Sequence, residues 1–139
     1  IFDSLKFKII NITTYSFGKY VESLGIYGVI DKAAEMGFDG IEFVESGWSN
    51  VELCELEKIG AYAAEKGLAR ASFCVGADFI NGSGGDTKAE IERVKALVDK
   101  AAALGVANMR HDVASQPRGR KINIGYDDCL PIMAEAIRE

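Results

Sequence analysis

Histidine and tryptophan occur once each in these 139 residues, and cysteine three times. A single histidine never specifies a catalytic or metal site by itself. Cys54, Cys74 and Cys129 are odd in number, widely spaced and in no CxxC pair. They therefore read as reduced intracellular thiols, not as a disulfide frame or a zinc knuckle. Basic residues are in deficit, 16 Lys and Arg against 21 Asp and Glu, for a net charge of −5. That excludes a broad nucleic-acid or anionic-membrane surface, which needs excess cations to displace counterions. No apolar run approaches the roughly 20 residues that span a bilayer, and no charged-then-apolar leader opens the sequence, so the expected compartment is the cytoplasm.

What is present is the composition of a globular chain: 48% hydrophobic and 27% charged residues, with mean hydropathy near zero. A chain of this size buries roughly 70% of its unfolded surface, enough for one domain. The sequence starts at Ile1 without a Met and stops at Glu139 inside a helical pattern. It reads as one domain over 1–139, truncated at its C-terminal side.

Period and punctuation place the elements. Lys6–Ile12 is a β-branched run that passes into a polar loop at Thr13 to Gly18. Ile26, Val29, Ile30, Ala33 and Ala34 recur at helical spacing as far as Met36, and Gly37 closes the helix. Phe38–Val44 is a second strand. Ser49 with Glu52 fits a capping box for a helix ending at Gly67, and Leu68–Val75 is a third strand. A glycine-rich loop, Gly76–Asp86, precedes a second capping box, Thr87 with Glu90, and a helix ending at Gly105. Val106–Asp112 is the fourth strand. After a polar loop, Asp127 caps a last helix with Pro131 in its first turn. The phrases Glu35-Met36-Gly37-Phe38, Glu65-Lys66-Gly67-Leu68 and Ala103-Leu104-Gly105-Val106 repeat one junction. Repeating βα units force parallel pairing, and four of them amount to half of a barrel that takes about 250 residues. An open doubly wound sheet is the alternative architecture.

Strand ends carry the chemistry in such folds. Glu42 lies in a strand that should be buried, so it faces a polar cavity or a salt bridge, the cavity being preferred. His111 reads either as a general base or metal ligand, or as a plain hydrogen-bonded loop histidine. Arg110 and Asp112 alternate onto one side of their strand and either orient a substrate or pair with each other, pairing being slightly ahead. Trp48 stacks on a sugar ring or caps the rim. Arg118, Arg120 and Lys121 hold an anion or are merely solvated. Gly82 to Gly85 lack the following Lys-Ser or Lys-Thr of a P-loop and read as a flexible lid.

The phrases NITTYSF (11–17), AAEMGFDGIEF (33–43), KGLARASFCVG (66–76) and AAALGVANMRHD (101–112) resemble the N-terminal half of xylose-isomerase-like TIM barrels. This is the sugar phosphate isomerase/epimerase group, which also includes endonucleases of the AP endonuclease family 2 type. The most specific element is Gly37 to Glu42. The resemblance implies an α/β fold of parallel (β/α) units, here about four. It implies proton or hydride transfer between adjacent carbons of a small sugar or polyol, assisted by a divalent metal (Mn, Mg, Zn or Co) bound mostly by residues outside this chain. Glu42 and His111 are then the expected catalytic residues, and Arg110, Asp112, Trp48 and Arg118 the expected substrate contacts. A metal-dependent endonuclease of the same superfamily is a rival, as is a small open-sheet binding module. Neither nucleic acid nor membrane is expected as a partner. Self-association, or a missing C-terminal half, is expected to cover the open sheet.

Overall fold

The repeated helix-closing phrase folds the same way each time. A computed structural model of the chain describes residues 9–45, 51–115 and 124–139, and in it Gly37, Gly67 and Gly105 have φ of +78°, +79° and +67°. Only glycine adopts that left-handed backbone without strain. The following amides, of Phe38, Leu68 and Val106, then bond back to the carbonyls of Ala33, Ala63 and Ala101. This satisfies the exposed helix ends and turns the chain toward the sheet.

The elements run β1 (Asn11–Thr13), α1 (Gly18–Glu35), β2 (Gly40–Val44), α2 (Leu53–Glu65), β3 (Ala69–Val75), α3 (Thr87–Leu104), β4 (Met109–His111) and α4 (Tyr126–Arg138). All neighbouring strands pair in parallel, and the sheet order is β1-β2-β3-β4. Val29, Ile30 and Ala33 of α1, Leu56, Ile59 and Ala63 of α2, and Leu97, Ala101 and Leu104 of α3 form one core with Ile41, Phe43, Phe73 and Val75 of the sheet. Phe43 and Phe73 face each other in register and are fully buried, each worth roughly 2–3 kcal/mol of apolar transfer. Helices α1 to α3 therefore cover one face of a sequentially ordered sheet. That is a half barrel; a doubly wound sheet would carry helices on both faces.

Several boundaries differ from the sequence reading. Lys6–Lys8 fall outside the described residues, and Ile9 and Ile10 are exposed and precede the strand. Helix α1 begins at Gly18, well before Ile26, and is kinked at Gly25, where φ is +64°. The fourth strand is shorter than Val106–Asp112. Glu52 caps α2 without a side-chain bond, and Ser49 lies outside the described residues. Asp86, not Thr87, caps α3 by accepting from the Ala89 amide at 3.0 Å. Gly125 opens α4, leaving Asp127 and Asp128 inside its first turn, where the helix dipole favours negative charge.

Candidate functional site

Alternation sends Ile41, Phe43, Phe73 and Val75 to the helices, so their neighbours face the other way. A register shift between Ile41 and Glu42 pairs Ile41 with Arg70 but Glu42 with Ser72. One extra β3 residue there sets Glu42 beside a hydroxyl. The open face bears a cavity of about 650 Å³, to which β1 and its exit contribute Thr13 and Tyr15, β2 and its exit Glu42 and Glu45, β3 Cys74, and β4 and its exit Arg110 and Asp112. Glu42 is half-buried and accepts from Ser72 Oγ at 2.8 Å. That bond holds its carboxyl below the usual range against the opposing effect of burial, helped by Cys74, Thr13 and the nearby Arg110 charge. Burial, and then the Glu42 carboxylate, push the Cys74 thiol up. Cys74 is therefore a resting thiol, not an activated nucleophile.

Arg110 donates to Asp112 across one residue of the strand end. The expected pairing forms, at the cavity's edge with both side chains more than half exposed. His111, between them in sequence, points to the opposite face. Its ring packs edge-on to Phe79 at 5.9 Å, its Nδ1 donates to the Asp112 carbonyl at 2.7 Å, and it lines a cleft with Val94, Met109 and Ala136. The structure thus brings Glu42, Arg110 and Asp112 together and separates His111 from them, because strand neighbours alternate. Trp48 and Arg118, like Arg120 and Lys121, fall outside the described residues.

The Gly76–Asp86 loop is tied by hydrogen bonds to the start of α3, with Gly82–Gly85 forming a turn that is exposed from Ser83 on. Asp78 is buried and accepts from the amides of Ile80 (3.0 Å) and Asn81 (2.8 Å) and from Ser115 Oγ (2.8 Å). Burial opposes its charge, but these donors outweigh it and keep the carboxyl low. Glu90 is only 2% exposed and accepts from the Asp78 amide, Ser83 Oγ and Arg93. The Arg93 bonds chiefly account for a pKa pushed down to about 2. Arg93 reaches on to Glu45 at 3.3 Å and to the Gly76 carbonyl, and so ties the exits of β2 and β3 together at the cavity rim. Glu90, expected from the sequence as the second half of a capping box, instead accepts from the loop that precedes α3. Its place on the stripe of Val94, Leu97 and Ala101, a charge among core positions three to four residues apart, was the available signal.

No helix among the described residues is long and apolar enough to cross a membrane. Among the described residues no group of three or more His, Cys, Asp or Glu comes together to hold a metal. Glu42, Glu45 and Asp112 share the cavity without converging. No curated protein matches the chain. A family model described as a xylose isomerase-like TIM barrel matches residues 30–139. That stretch takes in β2 to β4 and their helices, the part of the half barrel that carries Glu42, Arg110 and Asp112. By this match, and by its parallel strands in sequential order with α1 to α3 on one face, the chain belongs to the xylose isomerase-like TIM barrel family.

Proposed function

We propose that the chain is the N-terminal half of a cytoplasmic sugar isomerase or epimerase and that the open face of its sheet is the substrate side. The observation that carries this reading is that Glu42, Arg110 and Asp112 line one cavity on the open face of the parallel sheet, toward the strand exits where barrels of this kind do their chemistry. The reaction is transfer of a proton or hydride between adjacent carbons of a sugar or polyol. Glu42 stays ionised well below neutral pH, and the best general base titrates near the working pH. Its role is accordingly to orient a hydroxyl, with the proton-accepting group supplied from elsewhere. His111 has no role at this face. The endonuclease reading is weaker, because a chain of net charge −5 gives little attraction for phosphates.

Among the described residues no three His, Cys, Asp or Glu come together, and in this reading a divalent metal (Mn, Mg, Zn or Co) takes its ligands mainly from the missing half of the barrel. Titration of Mn²⁺ by calorimetry is then expected to show weak binding to residues 1–139; tight binding would overturn the assignment. Strands β1 and β4 are, among the described residues, the unpaired edges of the sheet, and such edges recruit further strands. The second half is supplied by further βα units or by a second copy, and light scattering of the chain reports the latter. The activity test is interconversion of aldoses and ketoses, or of their epimers, followed by NMR on the complete barrel with Mn²⁺ present in deuterated solvent, where deuterium at the carbon beside the carbonyl marks proton transfer and its absence from the product marks hydride transfer. Glu42→Gln and Arg110→Met should each lower the rate by about 100-fold. Full activity in both variants would place the site elsewhere.

A further inference from the structure

Glu45 lines the cavity at the exit of β2, and its place is set from outside the cavity. Its amide donates to the Cys74 carbonyl at 3.0 Å, one residue past the strand. Its carboxylate, 20% exposed, accepts from Arg93 Nη1 at 3.3 Å across 48 residues of chain. Arg93 is itself fixed. Its Nε and Nη2 grip the two oxygens of the buried Glu90 carboxylate at 3.0 and 2.8 Å, and Nη2 also donates to the Gly76 carbonyl. This side-on fork turns Nη1 toward Glu45. Glu90 is held in turn by the Asp78 amide and Ser83 Oγ, so orientation passes from the loop before α3, through Glu90 and Arg93, to a carboxylate on the cavity wall. Arg93 borders the adjoining cleft with Gly76 and Asp112 and does not line the cavity itself.

We infer that Glu45 is a substrate contact of the open face and that Arg93 is its positioning residue. This deepens the reading of the open face as the substrate side and rests on it. A carboxylate on a free side chain must be ordered when a ligand binds, and one already ordered by its neighbours escapes that cost. Glu45 is in the second situation. Asp112 is closer to the first, since it and its partner Arg110 are both more than half exposed. A carboxylate has about four acceptor positions, and the bond from Arg93 takes one. The others serve a ligand hydroxyl or amine.

The test is a double-mutant cycle. Amide NMR titration of the chain with D-xylose and D-fructose, followed at Gly76, gives a dissociation constant for the wild type, Glu45→Gln, Arg93→Met and the double variant. Each single change should weaken binding about tenfold, and the double variant should bind no more weakly than the weaker single one, because Arg93 acts through Glu45. A loss of about a hundredfold in the double variant means independent effects and overturns the inference, as does unchanged binding in Glu45→Gln. The denaturant midpoint of Glu45→Gln should match the wild type, which separates its effect from loss of fold. Arg93→Lys keeps the charge but not the fork. It should weaken binding as Arg93→Met does, and it replaces that variant in the cycle should the latter unfold; wild-type binding in Arg93→Lys overturns the positioning role. In the complete barrel with Mn²⁺ the single changes should raise KM about tenfold and leave kcat within about threefold, and a fall in kcat alone would count against the inference. If neither sugar moves any amide of the open face in the folded wild type, the substrate-side reading itself fails, and this inference with it.

Discussion

Ser72 stands directly opposite Glu42 across the β2–β3 ladder and donates to it at 2.8 Å. The pair exists because the register slips by one residue just before it. A hydroxyl so placed stabilises the ionised carboxylate, and burial together with that carboxylate pushes the thiol of Cys74, two residues on from Ser72, up.

Ser72→Ala should therefore raise the Glu42 pKa. The largest influence lowering it is removed, while burial, which opposes the charge, remains. Carboxyl-carbon NMR titration of Glu42 in the two proteins reads this directly, and an unmoved or lowered value would contradict the assignment.

Glu90 makes stability depend on acid. Its folded pKa of about 2 lies below the ordinary value of 4.5, so its contribution is fully present above pH 4.5 and is lost as pH falls from there toward 2. Allowing for the partly exposed Arg93, that contribution is about 2 kcal/mol. Denaturant midpoints should fall across this window in the wild type. In Glu90→Gln the fall should be shallower, on top of a loss of about 3 kcal/mol at neutral pH from leaving Arg93 with less compensation.

His111→Ala should cost about 1 kcal/mol, from the lost edge-on contact with Phe79 and the bond to the Asp112 carbonyl. It should leave ligand-induced shifts at Gly76 intact, whereas Arg110→Met should reduce them. The reverse pattern would put His111 back in the site.

Gly60→Ala should destabilise the fold by about 2 kcal/mol, since a methyl group at Gly60 would press into the backbone carbonyl of Leu104, where α2 meets the end of α3. Gly18→Ala, where the added carbon meets nothing within 4 Å, should stay within about 0.5 kcal/mol. Similar midpoints for the two variants would mean that α2 and α3 are not packed so closely.

The sequence by itself determined the order of helices and strands, and through it the parallel sheet; the sequential strand order and the placing of α1 to α3 on one face, which make it a half barrel, were decided by the tertiary structure. The signals in the sequence are local: apolar residues at helical spacing such as Val94, Leu97 and Ala101, and glycines at 37, 67 and 105 whose left-handed backbone ends each helix. Helix-length connections then leave parallel pairing as the only course. Glu42 was legible as a carboxylate within a strand that should be buried, and Arg110 and Asp112 as charged residues at the end of an apolar-led strand. The direction in which each of them points was also decided only by the tertiary structure. His111 and Arg110 are adjacent, and a strand turns one toward the helices and the other toward the cavity according to a register set by neighbouring strands. The slip that pairs Glu42 with Ser72, and the burial of Glu90 under a loop closed by Asp78, are likewise products of long-range contact. Residues 30 positions apart in the first case and 12 in the second meet only once the sheet and helices have packed.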